Sequence, residues 1–478
     1  MLDRIRTYHL GVRTATLYPN ELRAHIIILP NFLYNYFMFN NRMDLGAVGG
    51  NIAMATTWQE DEYGELFLED CEKLFALFSN NKLEKLQILS EAGYSIRHVR
   101  KRQKRFEVHQ LRKDKHPIDS YTQKTSYISF ANITLSMILD LLREINDFFS
   151  SYTFIKNTII SLNLSSRDIW IYTHIKHLIY DPRYLFSLRV ELILEENGIH
   201  EKAAMSFSKQ DNFSTLLSGW QKHATDLLKR AKIILQAKPC KGGNLPVLLG
   251  PGVTGILLHE AIGHGLEADF HAKKSSVFYN KLNTMISGDF VNIYDDGTIN
   301  NARGSIAFDD EGTESRKNIL VENGRLVGLM CDKFFGEEIG RYSTGNGRRQ
   351  SFKHYPMPRM TNTYMDRGPH SVEEMISSIK EGIYGVDFSH GQVDITSGNF
   401  AFSGSLMYWI QDGKISHPVR GCTLSGLGIN VLAGILGVGN DLAFDPSGGT
   451  CGKNGQWVPV GVGQPSILIN SLMVGSRV

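Results

Sequence analysis

"LLHEAIGHGLEADF", Leu257 to Phe270, carries two histidines five residues apart, His259 and His264, with Glu260 after the first. The H-E-x-x-H pattern of zinc helices spaces its histidines by four, so both rings leave one face of a regular helix. Five residues rotate about 500°, which points the two rings roughly 140° apart. A regular helix therefore cannot offer both to one ion. Either one added residue makes a π-bulge, of the kind found mostly at functional sites, or the helix ends near Gly263 and His264 swings in from the turn. The spacing predicts a distorted helix between His259 and Gly265, with Gly263 and Gly265 supplying permissive backbone. On local sequence alone, a shared metal and a pair of core or surface histidines weigh evenly.

The metal reading has a defined chemistry. Zinc takes nitrogen and sulfur donors in a tetrahedron and lowers the pKa of a bound water towards ~7. Glu260 can take that water's proton and pass it to a leaving amine. Two histidines are an incomplete set, so a third ligand must come from elsewhere, and this decides how the chain folds. Nearby candidates are Glu267, Asp269 and His271. Of the distant ones Cys451 stands out, because "GGTCGKNGQWVPVGVGQP" surrounds it with glycine and a thiolate is a strong zinc donor. Cys71, Cys240, Cys331 and Cys422 read as small buried side chains. Five scattered cysteines argue against a disulfide framework.

Working outward, 478 residues exceed one ordinary core, so two or more domains are expected. Hydrophobic content of 42% and charged content of 21% read as globular, and a net charge of +2 calls for neither nucleic acid nor anionic membrane. "MLDRIRTYHLGVR" lacks the apolar core of a signal peptide, and "IIILPNFLYNYFMF" is too short and interrupted to span a bilayer. A cytoplasmic location is expected.

Glycine divides the chain: eight of 45 precede Gly242. The first half can build long helices, and the second must be rich in turns and strands. "ITLSMILDLLREINDFF" and "TLLSGWQKHATDLLKRAKIIL" read as helices. "FSLRVELILEENGIHEKAAMSF" sends Phe186, Leu188, Val190, Leu192 and Leu194 inward and turns at Asn197-Gly198. After the buried strand "LPVLLG" and the metal helix come short strands, among them "DFVNIYDDGT", "GSIAFDDEGT", "NILVENGRLVGLM", "GQVDITSGNFAFSG" and "SLMYWIQDGKISHPV". A helix starts at Ser371, with Glu374 placed for a capping box. The expected fold class is α+β, a mixed N-terminal domain plus a strand-rich, largely antiparallel C-terminal domain carrying the metal helix. The expected divisions are 1–121, 122–241 and 242–478.

Other blocks carry weaker readings. His98–His116 holds eight Lys/Arg against Glu107 and Asp114; a solvated basic face outweighs a nucleic-acid patch. Arg348, Arg349, Arg359, Asn362 and Tyr364 read equally as ligands for a peptide and as turn-stabilising hydrogen bonders. His354 reads as a surface histidine ahead of an oxyanion donor. Asp309, Asp310 and Glu311 read as a hairpin turn ahead of support for the metal. Trp457 and the valines after it read as core strand around Cys451.

Taken together, "LLHEAIGHGLEADF", "DDGT", "FDDEGT", "TGNGRRQSF", "PMPRMTNTY", "GQVDITSGNF" and "CGKNGQWVPVGVGQP" resemble the TldD/PmbA family of zinc metallopeptidases, in its TldD branch. The resemblance spans roughly the last 60% of the chain. It implies Zn2+ held by His259, His264 and Cys451, with Glu260 as catalytic acid/base. It also implies extended or unfolded peptide substrates and a PmbA/TldE-type paralogous partner in a heterodimer. Met1 to about Tyr121 lacks the family's glycine-rich stretch of the type G-V-G-V-R-A. That departure motivates an alternative reading, a catalytically idle peptide-binding or scaffold subunit; a nucleic-acid-binding protein ranks last.

Overall fold

The structure is a computed structural model that describes residue 58 and residues 62–111, 133–211, 213–394 and 397–476. The apolar stretch before residue 45 and the end of the basic run, 112–116, lie outside the described residues.

Among the described residues, the first half forms a six-stranded antiparallel sheet with two helices on one face. Its elements are β1 (Glu62–Ser79), β2 (Lys82–Arg100), β3 (Gln103–Leu111), α1 (Leu135–Ser150), β4 (Ile155–Thr173), β5 (Leu178–Glu196), β6 (Ile199–Lys209) and α2 (Phe213–Leu235). The strand order is β3-β2-β1-β4-β5-β6. Residues 62–111, set apart in sequence from 122–241, are thus half of the same sheet. Strand alternation puts Phe186, Leu188, Val190, Leu192 and Leu194 on one face, where α1 and α2 cover them. Asn197 and Gly198 both have positive φ, 51° and 77°, which a two-residue hairpin of this twist requires. Thr134 caps α1 by accepting from the Met137 N–H.

The sheet's other face sets buried charges beside an apolar patch, Phe67, Ile169, Ile171 and Ile179, which packs on Phe308 and Phe352 of the second half. Arg97 binds Glu65 through Nε (2.9 Å) and Nη2 (2.7 Å), and also reaches Glu311 at 2.6 Å. Arg349 joins the same Glu65 and donates to Ser95 at 3.0 Å. Arg183 bridges Asp181 (2.9 Å) and Asp310 (2.8 Å). Asp310 and Glu311 are therefore fully buried partners of arginines, and the equally buried Asp309 accepts from the N–H groups of Glu311, Thr313 and Gly347. Their stretch, "GSIAFDDEGT", is not a strand but a tight turn bridged at Phe308 and Glu314, which corrects the strand reading. A buried charge stripped of its partner costs about 3–5 kcal/mol. Glu65→Ala takes from Arg349 its carboxylate and leaves Arg97 with Glu311 alone. It is expected to lower the free energy of chemical unfolding by about 3–5 kcal/mol, whereas an unchanged unfolding curve would deny the network its role.

The second half comprises β7 (Gly243–Leu249), β8 (Ile293–Asp296), β9 (Lys317–Glu322), β10 (Asn362–Met365) and β11 (Glu381–Val393). It continues with β12 (Asn399–Gln411), β13 (Cys422–Leu427), β14 (Gly449–Lys453), β15 (Gln456–Gln464) and β16 (Ile467–Ser476). Pairing runs β11-β7-β16-β13-β12, and β12 pairs back to β11, so these five strands close on themselves. A second sheet runs through β9, β8, β10 and β15, with β14 hydrogen-bonded to β15. The capping box of Ser371 and Glu374 is formed, on the short helix Val372–Ser377.

Cys240 and Cys422 are joined as a disulfide, with Cα atoms 5.6 Å apart, which corrects their reading as separate buried thiols. The chain between them hides the pairing: Lys238–Pro239 lies beside Val419–Arg420, and the Cys240 N–H donates to Arg420 O. Cys71, Cys331 and Cys451 are free and buried. Trp457 is 58% exposed, because alternation along β15 turns Val458, Val460 and Val462 inward instead. No helix among the described residues is long and apolar enough to cross a membrane.

Candidate metal centre

The helical segment Val253–Leu266 changes its winding three times in fourteen residues. A 3-10 turn, Val253–Gly255, leads into one α turn, Ile256–Leu258; a π turn follows at His259–Gly263, then a 3-10 turn at His264–Leu266. The His264 N–H donates to the His259 carbonyl, five residues back, which is the bond of a π turn. The added residue brings both rings to one side, with centroids 5.1 Å apart. Leu257, Leu258, Ala261, Ile262 and Leu266 bury the opposite sides in the core shared by both sheets.

Gly263 serves the bulge differently from the expectation. Its backbone is ordinary helix, φ −54° and ψ −51°. What it supplies is space: a Cβ there would stand 2.2 Å from Met360 Sδ.

His259, His264 and Cys451 each present a ligand atom, all within 4.8 Å of one another, and all three residues are buried. The Cys451 Sγ lies 3.4 Å from His264 Nε2. The other His264 nitrogen, Nδ1, meets Glu267 Oε2 at 3.0 Å. Glu267 in turn accepts from Lys453 Nζ at 2.8 Å, and Lys453 also binds Asp269 at 2.6 Å and the Pro358 carbonyl at 3.0 Å. So Glu267 and Asp269, candidates for the third ligand, stand behind the cluster, and the 0%-exposed Glu267 orients a ring. His271 Nε2 binds the Gly265 carbonyl at 2.9 Å, which closes the last turn. Glu260 remains partly open to solvent, with its carboxylate 4.0 Å from His264 Nε2.

Electrostatics make the cluster a sink for positive charge. Burial would raise the Cys451 thiol, but His259 and His264 bring it well below its usual range. Burial would lower His264, yet Glu267 and Cys451 push it up to about 10. Burial would raise Glu267, and Lys453 with His264 holds it at about 2. The His259 Nδ1 is buried without a hydrogen-bond partner.

The other singled-out residues lie elsewhere or play supporting parts. Arg348 donates to the carbonyls of Met360 and Pro459, and Asn362 to the Asp296 carbonyl. Tyr364 is buried beside Phe444. His354 pairs with Ser351 Oγ at 2.9 Å, outside the cluster. In the basic run, Lys104 stands 3.2 Å over the Phe334 ring and 4.8 Å over Tyr355, which is intramolecular packing. Lys453 was missed in sequence; its signal is its place two residues after Cys451 on the same strand face.

A cavity of about 1180 Å³ opens between the first sheet and the second half, but none of the three clustered residues lines it. A smaller groove of about 460 Å³ reaches Gly449 and Thr450, next to Cys451, and is walled by Ser161, Asn163, Ser165 and Ser187.

Comparison with known proteins follows the same lines. Residues 242–476 match the family model described as the PmbA/TldA metallopeptidase C-terminal domain. A metalloprotease TldD homolog of Buchnera aphidicola is 43% identical over 329 residues, covering 66% of this chain and 68% of its own. A zinc metalloprotease TldD homolog of Saccharolobus solfataricus is 34% identical over 293 residues, 61% of this chain and 65% of its own. In fold, the chain is similar to the crystal structure of TldE from Thermococcus kodakarensis. That likeness has a TM-score of 0.68 at 16% identity, over 87% of this chain and 97% of that one. A putative modulator of DNA gyrase from Thermotoga maritima is similar too, with a TM-score of 0.70 at 16% identity, over 87% and 96%.

Proposed function

The chain belongs to the PmbA/TldD metallopeptidase family and is a metallopeptidase; from that premise we propose that it is zinc-dependent, with His259, His264 and Cys451 as the protein ligands. The observation that carries this reading is the π turn, which converts an i, i+5 histidine pair into neighbours of a cysteine 187 residues further on. Zinc held there supplies an activated water near neutral pH and polarises a peptide carbonyl.

The chain's own residues do the rest. Glu267 fixes the tautomer and orientation of His264, and Lys453 keeps Glu267 ionised. Glu260, the member of the cluster that reaches solvent, takes the proton of the attacking water and returns it to the leaving amine. The hydroxyl-lined groove beside Thr450 offers hydrogen bonds to a peptide main chain with little demand on its side chains. That supports extended or unfolded peptides as the substrate class. A paralogous chain of the PmbA/TldE type is the proposed partner, in keeping with the fold shared with TldE.

The test is cleavage of an unstructured peptide by the purified chain, alone and with a PmbA-type paralogue, before and after zinc chelation. Cleavage that chelation abolishes and zinc restores is expected in at least one of the two states. Zinc-loaded chain that cleaves in neither state would favour the idle scaffold.

A further inference from the structure

Cys451 stands on β14, five residues long and paired with β15 alone among the described strands. Its register with β15 does not set its distance from His259 and His264, which ride on a helix far away in sequence. Something must hold the two pieces at bonding range. The segment Pro358 to Met360 touches both.

Met360 Sδ packs against Gly263, inside the π turn between the two histidines. The Pro358 carbonyl accepts from Lys453 on β14. Between them, Arg359 donates through Nη2 to the carbonyl of Cys451 itself (2.5 Å) and through Nη1 to that of Gln456 (3.4 Å). Arg359 is 0% exposed. Its side-chain hydrogen bonds among the described residues go to these two carbonyls, both on the hairpin of β14 and β15, and its charge also helps to keep Glu267 ionised. A buried guanidinium with no carboxylate in ion-pair contact is a costly way to fill space; an apolar side chain of that volume would serve packing better. Its own main chain is locked: its N–H donates to Asn346 O and its carbonyl accepts from Asn346 Nδ2, both 2.9 Å. Asn346 is in turn tied to Asp295 at 2.7 Å.

We propose that Arg359 is a positioning residue for the metal centre. At the middle of a rigid three-residue spacer, it sets the Cys451 sulfur against His259 and His264. The proposal rests on the zinc reading above.

The test uses the full chain with Co2+ as the spectroscopic probe and Zn2+ in competition with a chelator. Arg359→Met is expected to lower metal affinity by about 10–100-fold, the range for loss of an outer-shell partner, and to weaken the thiolate-to-cobalt absorption. Circular dichroism of the variant should stay that of the folded chain. Arg359→Lys keeps the charge but not the fork that spans two carbonyls, and is expected to fall between. A folded variant of either kind with wild-type affinity and a wild-type band would overturn the proposal. If Arg359→Met does not fold, Arg359→Lys decides; if neither folds, Arg359 serves the fold and the proposal is overturned. A wild-type chain without a thiolate-to-cobalt band would overturn the zinc reading itself, and is told apart by appearing before any substitution.

Discussion

Glu260→Gln is expected to lower peptide hydrolysis by about 10²–10⁴-fold, the usual worth of a positioned acid–base group, with zinc content and unfolding midpoint unchanged. The two halves of this expectation have separate grounds. Glutamine is isosteric and Glu260 is partly exposed, so the fold has little to lose. The proposed ligands are other residues, so the metal should stay. What disappears is a carboxylate near the His264 nitrogen that faces Cys451, where a proton must be taken up and later released. Turnover of Glu260→Gln within a few-fold of wild type would remove Glu260 from the reaction.

Cys451→Ala should have a larger effect on the metal than any outer-shell change. Cys451 is 3% exposed and small, so alanine fills nearly the same space, and folding should survive. The donor set falls from three to two, and the lost donor is the one negative charge among them. Zinc affinity is expected to drop by more than the roughly 10–100-fold typical of outer partners, and hydrolysis to fall to background. Full zinc content by elemental analysis would exclude Cys451 as a ligand. Glu267 and Asp269 are poor substitutes, because Lys453 already occupies both carboxylates.

Much of this was legible in the sequence where one physical rule acts locally. The hairpin at Asn197-Gly198 follows from alternation plus a turn that needs two positive φ values. The break at His259–Gly263 follows from five residues being the wrong spacing for a helix face. The proposal of Cys451 as third ligand came from the family resemblance, and its glycine-rich setting only made it a candidate; the structure places its sulfur beside the two histidines. Legibility failed where long-range partners decide. "FDDEGT" has the residues of an exposed turn, yet Arg97 and Arg183 pair with Glu311 and Asp310 inside, and backbone N–H groups hold Asp309. Cys240 and Cys422 read as unrelated until strand pairing set them side by side. Arg359 and Glu267 were visible as charged residues near the motifs. Their tasks, holding a carbonyl and a ring nitrogen, exist only once β14 lies against the bulged turn.

The central claim is that the bulged turn and β14 together make one zinc site. X-ray diffraction from crystals of the purified chain, recorded on both sides of the zinc absorption edge, tests it most directly. The account predicts a single strong anomalous peak at bonding distance from nitrogen atoms of His259 and His264 and from the Cys451 sulfur. A peak bound by other residues, or no peak at this cluster in crystals of zinc-loaded chain, would contradict it.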